Sequence, residues 1–90
     1  MYRSQRCNCC GFVHRSNRKA KLFNCTHCGY SMDADMNAAF NLSSNLVKLP
    51  IGIRQMQLNR TGFFWKEDGL FDLSGHEVTV RVINKPSDAV

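Results

Sequence analysis

Hydrophobic and polar positions divide the ninety residues into three stretches of different rhythm. Residues 1–31 are polar, with short apolar clusters at Gly11 to Val13 and at Leu22 to Asn24. That spacing predicts two short strands entering and leaving a β-hairpin, with the polar run His14 to Lys21 as its exposed tip. Residues 32–48 change to helical periodicity: Met36, Ala39, Phe40, Ser43, Leu46 and Val47 recur on one apolar stripe. Asp33 or Asp35 can cap that helix, Ala38 and Ala39 favour it, and Pro50 and Gly52 end it. Residues 49–90 are the least regular. Thr61 to Trp65 is apolar and aromatic, and Lys66-Glu67-Asp68-Gly69 has the composition of a turn. Val78, Val80 and Val82 alternate with Thr79 and Arg81 as a strand would, and residues 84–90 are expected to fray. Phe63, Phe64 and Trp65 are expected in the core rather than as an exposed protein-binding anchor, because so short a chain needs its aromatics inside.

Cysteine spacing turns the first stretch into a metal site. Cys7-x2-Cys10 and Cys25-x2-Cys28 are separated by fourteen residues, and glycine follows each pair at positions 11 and 29. Cysteines at i and i+3 reach one metal only if the chain turns sharply after them, and glycine supplies the positive φ. Zinc accepts four such thiolates in a tetrahedron. Iron suits the same soft donors, and a disulfide or redox dithiol completes the alternatives. Cys9 falls out of register as an outward-facing bystander. His14 and His27 are left as surface or phosphate-contacting residues, since four thiolates fill a site. The fold expected is a small α+β zinc ribbon, two Cys-x2-Cys knuckles on a β-hairpin, followed by a helix and a partly β C-terminal segment. Ordering of the ribbon is expected to depend on the metal.

Charge is uneven. The net charge is +5, yet Arg3, Arg6, Arg15, Arg18, Lys19 and Lys21 all precede the first acid, Asp33. A basic block on a metal module points to a polyanion, most simply nucleic acid. Arg15, Arg18, Lys19 and Lys21 are the candidate phosphate contacts, with Phe12 or Phe23 as candidate stacking rings. No leader-like segment and no run of roughly 20 apolar residues occurs, so no membrane partner is expected. Paired cysteines without a leader are expected in the cytoplasm, where thiols stay reduced.

Asp33-Ala34-Asp35-Met36-Asn37-Ala38-Ala39 opens the second stretch. Its carboxylates can cap a helix or hold a hard cation such as magnesium. Taken with Cys-x2-Cys-Gly, the basic run and Phe-x-Cys-x2-Cys-Gly-Tyr, this segment resembles the C-terminal end of transposon-encoded TnpB nucleases. It is similar in the same way to type V CRISPR effector nucleases, over roughly residues 3 to 43. The resemblance implies a ribbon inserted within an RNase H-like (RuvC) nuclease and partners in DNA and guide RNA. It makes Asp35 the last of three catalytic acids, with Asp33 a weaker candidate and Asn37 a polar group positioning the site or the backbone. Magnesium is then expected only in a complete nuclease, because one carboxylate cannot hold the two-metal geometry of phosphodiester hydrolysis. The chain is expected not to cleave DNA alone, and to need the remainder of the nuclease in cis or in trans. A freestanding ribbon that binds nucleic acid or protein is the alternative.

Overall fold

The computed structural model describes residues 2–50 and 52–78. Two three-stranded antiparallel sheets and one full helix make up the fold, which is of the small α+β class. Strand β1 (Phe12–Val13) is the edge of the first sheet, whose order is β1-β5-β6, with β5 at Phe63–Lys66 and β6 at Gly69–Phe71. The second sheet has the order β2-β3-β4, spanning Arg18–Lys19, Leu22–Asn24 and Ser31–Asp33. Helix α1 (Ala34–Ser43) follows β4 directly, and a single helical turn, α2 (Ile53–Met56), precedes β5.

The two segments expected as hairpin partners are both strands, but they do not pair with each other. Phe12 and Val13 lie opposite Phe64 and Phe63, whereas Leu22 to Asn24 pairs with Arg18–Lys19 on one side and Ser31–Asp33 on the other. Apolar content explains the exchange. The aromatic strand β5 must bury Phe63 and Trp65, and β1 offers it an apolar edge that β3, with Leu22 exposed, does not. His14 to Lys21 is correspondingly no open tip. It holds a 3₁₀ turn at Arg15–Asn17, strand β2 and a tight reversal at Ala20, and Asn17 within it is buried.

Side chains alternate across β1, so its two residues serve two cores. Phe12 packs with Cys7, Phe23, Cys25 and Ala34 around the cysteines. Val13 packs with Ile53, Phe63, Trp65 and Leu70 in a second cluster beneath the first sheet. The expected burial of Phe63 and Trp65 is observed, with Phe64 half-buried, and residues 66–69 form the β5–β6 turn as read. Of the alternating valines, Val80 and Val82 lie outside the described residues, as do residues 84–90. Val78 donates its N–H to the Leu70 carbonyl at 2.8 Å and packs on the second cluster.

Helix α1 is shorter than expected, and its stripe faces the other way. Ser43 and Ser44 hydroxyls both return to the Phe40 carbonyl, at 3.0 and 2.8 Å, which competes with continued helix. Leu46 and Val47 therefore leave the helix and drop onto the second cluster, where the Val47 carbonyl accepts from Trp65 Nε1 at 2.7 Å. Met36 and Phe40 are 55% and 49% exposed, and the buried face is Ala34, Asn37 and Asn41.

Candidate functional site

Both cysteine pairs sit in turns closed by the same two backbone hydrogen bonds. Gly11 N–H reaches the Cys7 carbonyl at 2.8 Å and Gly29 N–H reaches that of Cys25 at 3.0 Å. Cys7 N–H donates to the Phe12 carbonyl at 2.9 Å, and Cys25 N–H to that of Tyr30 at 2.8 Å. Gly11 and Gly29 have φ of 88° and 81°, the left-handed backbone such a reversal requires. One turn feeds the first sheet and the other joins β3 to β4, so the pairs approach each other from different sheets.

All four sulfurs lie within 4.8 Å of one another. Cys7 and Cys28, and Cys10 and Cys25, are each 3.7 Å apart. A tetrahedron with metal–sulfur bonds of about 2.3 Å has edges of about 3.8 Å, whereas a disulfide would draw two sulfurs to about 2.0 Å. The donor set and its spacing therefore fit a tetrahedral metal ion such as zinc, and all five cysteines are free thiols. Cys9 is exposed and outside the cluster. Burial pushes the Cys7 thiol up to about 11 and raises Cys10 further. Burial also presses upward on Cys28, but bonds from Tyr30 N–H and the thiols of Cys10, Cys25 and Cys7 outweigh it and set Cys28 at about 7. Without metal the cluster thus holds protons that a cation must displace.

Arg6 lies against this centre in a buried polar network that sequence reasoning missed. Its Nε donates to the Trp65 carbonyl at 2.7 Å and its NH1 to Asn41 Oδ1 at 2.6 Å. Burial lowers the Arg6 pKa, and the neighbouring sulfurs of Cys7 and Cys10 and the carboxylate of Glu67 oppose that fall. The Asn41 amide donates to the carbonyls of Arg3 and Arg6, and the Asn37 amide to that of Arg6 at 2.7 Å. Asn37 Oδ1 accepts from both the backbone and the side-chain nitrogen of Asn8, at 3.1 and 2.9 Å. The asparagines at i and i+4 thus fasten α1 to the chain entering the first cysteine turn, a backbone-positioning part for Asn37. Their spacing in Asn37-Ala38-Ala39-Phe40-Asn41 was the available signal, hidden because asparagine reads as a surface residue.

The two acids divide their work. Asp33 is the N-cap, its carboxylate accepting from the N–H groups of Asp35 and Met36 at 3.0 and 3.1 Å. Asp35 makes no cap and projects from the first turn with its side chain 73% exposed, 3.7 Å from Arg18 NH2. Arg15, Lys19 and Lys21 are exposed, and Arg18 is half-buried beside Asp35. Phe12 and Phe23 are buried and cannot stack on a base. Phe12 is instead enclosed by His14, His27 and Phe64, at ring separations of 5.9, 5.3 and 5.2 Å. His14 caps the 3₁₀ turn by accepting Ser16 N–H at Nδ1, so neither histidine joins the sulfur cluster. Among the described residues no helix is long and apolar enough to cross a membrane.

Residues 1–42 match the Cas12f1-like TNB domain family. Over 43 residues the chain is 46% identical to the CRISPR-associated endodeoxyribonuclease Cas12f1 of Sulfoacidibacillus thermotolerans, a span of 47% of this chain and 10% of that protein. The aligned segment is about a tenth of the length of that curated relative. No solved structure matches the chain. Its first half is thus similar to the zinc-ribbon region of TnpB and type V effector nucleases, and the likeness spans Cys7, Cys10, Cys25 and Cys28.

Proposed function

We propose that the chain is a zinc-stapled nucleic-acid-binding segment of a TnpB-like, RNA-guided DNA endonuclease, inactive without the rest of a RuvC-like domain. The observation that carries this reading is the division of labour at the start of α1. Capping is done by Asp33, which leaves Asp35 with no part in the cap. Asp35 stands 3.7 Å from Arg18, so a phosphate-contacting cation and a metal-ligating acid would share one edge of the molecule. Asn37 and Asn41 hold that edge against the cysteine centre. Zinc at the four thiolates would fix the ribbon, and magnesium would enter at Asp35 only when two further acids are supplied.

Supplying the upstream half of such a nuclease, in cis or in trans, tests the assignment. Magnesium-dependent cleavage should appear, be abolished by Asp35→Ala and survive in Asp33→Asn, since asparagine caps as well as aspartate. Undiminished cleavage by Asp35→Ala would sink the role given to that residue. The metal is tested separately: one zinc per chain, lost with Cys25→Ser, is expected, and a ferric thiolate spectrum would overturn zinc. A second reading, a freestanding nucleic-acid-binding ribbon, is favoured by Ile53, Phe63, Trp65 and Leu70, which lie beyond the matched segment and close a core cluster with Val13 from within it. It predicts that no upstream half restores cleavage while the isolated chain binds oligonucleotides.

A further inference from the structure

A groove of about 340 Å³ opens where the ribbon meets the segment around α2, lined by Tyr2, Arg15, Arg54, Gln57, Asn59 and Arg60. Half of this lining is arginine and none of it is acidic. Arg15 comes from the 3₁₀ turn before β2, Arg54 from α2 and Arg60 from a second 3₁₀ turn at Leu58–Arg60. Two stretches distant in sequence, one at Arg15 and one running from Arg54 to Arg60, thus deliver like charge to one opening. Among the described residues the one ion pair is Arg18 with Asp35, so none of these three guanidiniums has a carboxylate to answer it. Converging cations repel, and an anion seated among them relieves that repulsion.

The groove is built rather than incidental. Arg60 NH1 donates to Gln57 Oε1 at 2.8 Å, which directs its guanidinium. Gln57 itself has φ of 50°, and Tyr2 has φ of 44°; two of the three non-glycine residues with positive φ among the described residues line this one groove. The Tyr2 ring is held edge-on to buried Phe63, at 5.9 Å between centroids. Asn59 is fixed by its amide on Gln5 Oε1 at 3.0 Å. Guanidinium forks match the paired oxygens of a phosphate, and an open, polar channel suits a strand passing through more than an enclosed small molecule.

We propose that this groove is a second phosphodiester-binding site, in which Arg15, Arg54 and Arg60 hold the backbone of a nucleic-acid strand. The proposal rests on the nucleic-acid reading above and deepens it. It gives Arg54 and Arg60, beyond the matched segment, the task of lengthening the path that the basic ribbon begins.

Anisotropy of labelled duplex and single-stranded oligonucleotides, titrated with the full zinc-loaded chain across a range of salt, tests it. Arg54→Ala with Arg60→Ala should weaken binding on the order of tenfold whatever the base sequence, and flatten the duplex salt dependence by about 1.8 log units per log unit of salt. Arg54→Lys with Arg60→Lys should keep the slope. Both side chains are exposed, so zinc content and Trp65 fluorescence should match the parent; Arg54→Gln with Arg60→Gln repeats the measurement should the alanine pair lose zinc. An unchanged affinity and slope in the alanine or glutamine pair overturns the groove. In that event, lost binding by Arg18→Ala, Lys19→Ala and Lys21→Ala together leaves the ribbon reading standing. Absence of oligonucleotide binding by the parent chain overturns both. Stronger binding of a phosphorylated peptide than of an oligonucleotide of equal charge overturns the groove's assignment in favour of a protein partner.

Discussion

Asn41 is wholly buried, accepts from the Arg6 guanidinium and donates to two backbone carbonyls. Replacing it with leucine would leave the enclosed guanidinium and the Arg3 carbonyl each short of a partner, while the Arg6 carbonyl keeps the Asn37 amide. Asn41→Leu should therefore destabilise the zinc-loaded chain by about 3 kcal/mol in urea unfolding, despite its matching branched shape. The glycines allow a finer comparison. A Cβ at Gly29 would meet nothing within 4 Å, whereas one at Gly11 would lie 3.2 Å from the Trp65 carbonyl and 3.4 Å from Arg6 NH2. Gly29→Ala should show only the left-handed backbone penalty of about 1–2 kcal/mol, and Gly11→Ala should lose measurably more. Equal losses would mean that the Arg6–Trp65 contact does not restrict the first turn. At this scale the cluster of four sulfurs, the two glycines and the outward Cys9 were all legible in the sequence, because metal-ligand spacing is a local rule. Arg6, Asn17 and Asn41 were not, and Asn37 was reached only through the family resemblance, because nothing local marks a polar side chain that will find its partners across the fold.

Among the elements, α1 shows where periodicity misleads. Its pattern located a helix correctly, yet the apolar stripe within it is the face turned to solvent, and the buried face carries asparagines. Apolar spacing reports that a face will be covered and not by what. Phe40→Ser should change the stability of the isolated chain by no more than about 0.5 kcal/mol while raising its solubility. Thermal unfolding and static light scattering of the two proteins decide the matter; a large loss of stability would place Phe40 in an internal contact after all. Strand pairing was misread for a related reason. Residues 12–13 and 22–24 were recognisable as strands, but their register depended on Phe63 and Trp65, about fifty and forty residues further on.

For the whole molecule, protons and metal compete at one centre. Burial keeps a proton on Cys7 and on Cys10 above neutrality, and Cys28 releases its own at about 7. Metal entry displaces these protons, so apparent zinc affinity should fall as the pH drops. Below about pH 7 the ion must also displace the proton on Cys28, and the fall should steepen by about one proton. Competition against a chromophoric chelator between pH 6 and 8 measures this; a flat profile would exclude thiolate ligation.

The two cysteine turns issue from different sheets; one cluster lies beneath the first sheet, and the other, around the sulfurs, draws on both sheets through Phe12 and Phe23. An ion at their junction would act as a fuse between two folding units. In its presence both should open together, with one exchange rate for their slowest amides. After chelation the amides of Cys25 and Gly29 should exchange freely, while Trp65 and Val78, bonded to the Gly11 and Leu70 carbonyls, stay protected. The chain would then survive metal starvation as half a protein, able to rebuild the other half when the ion returns.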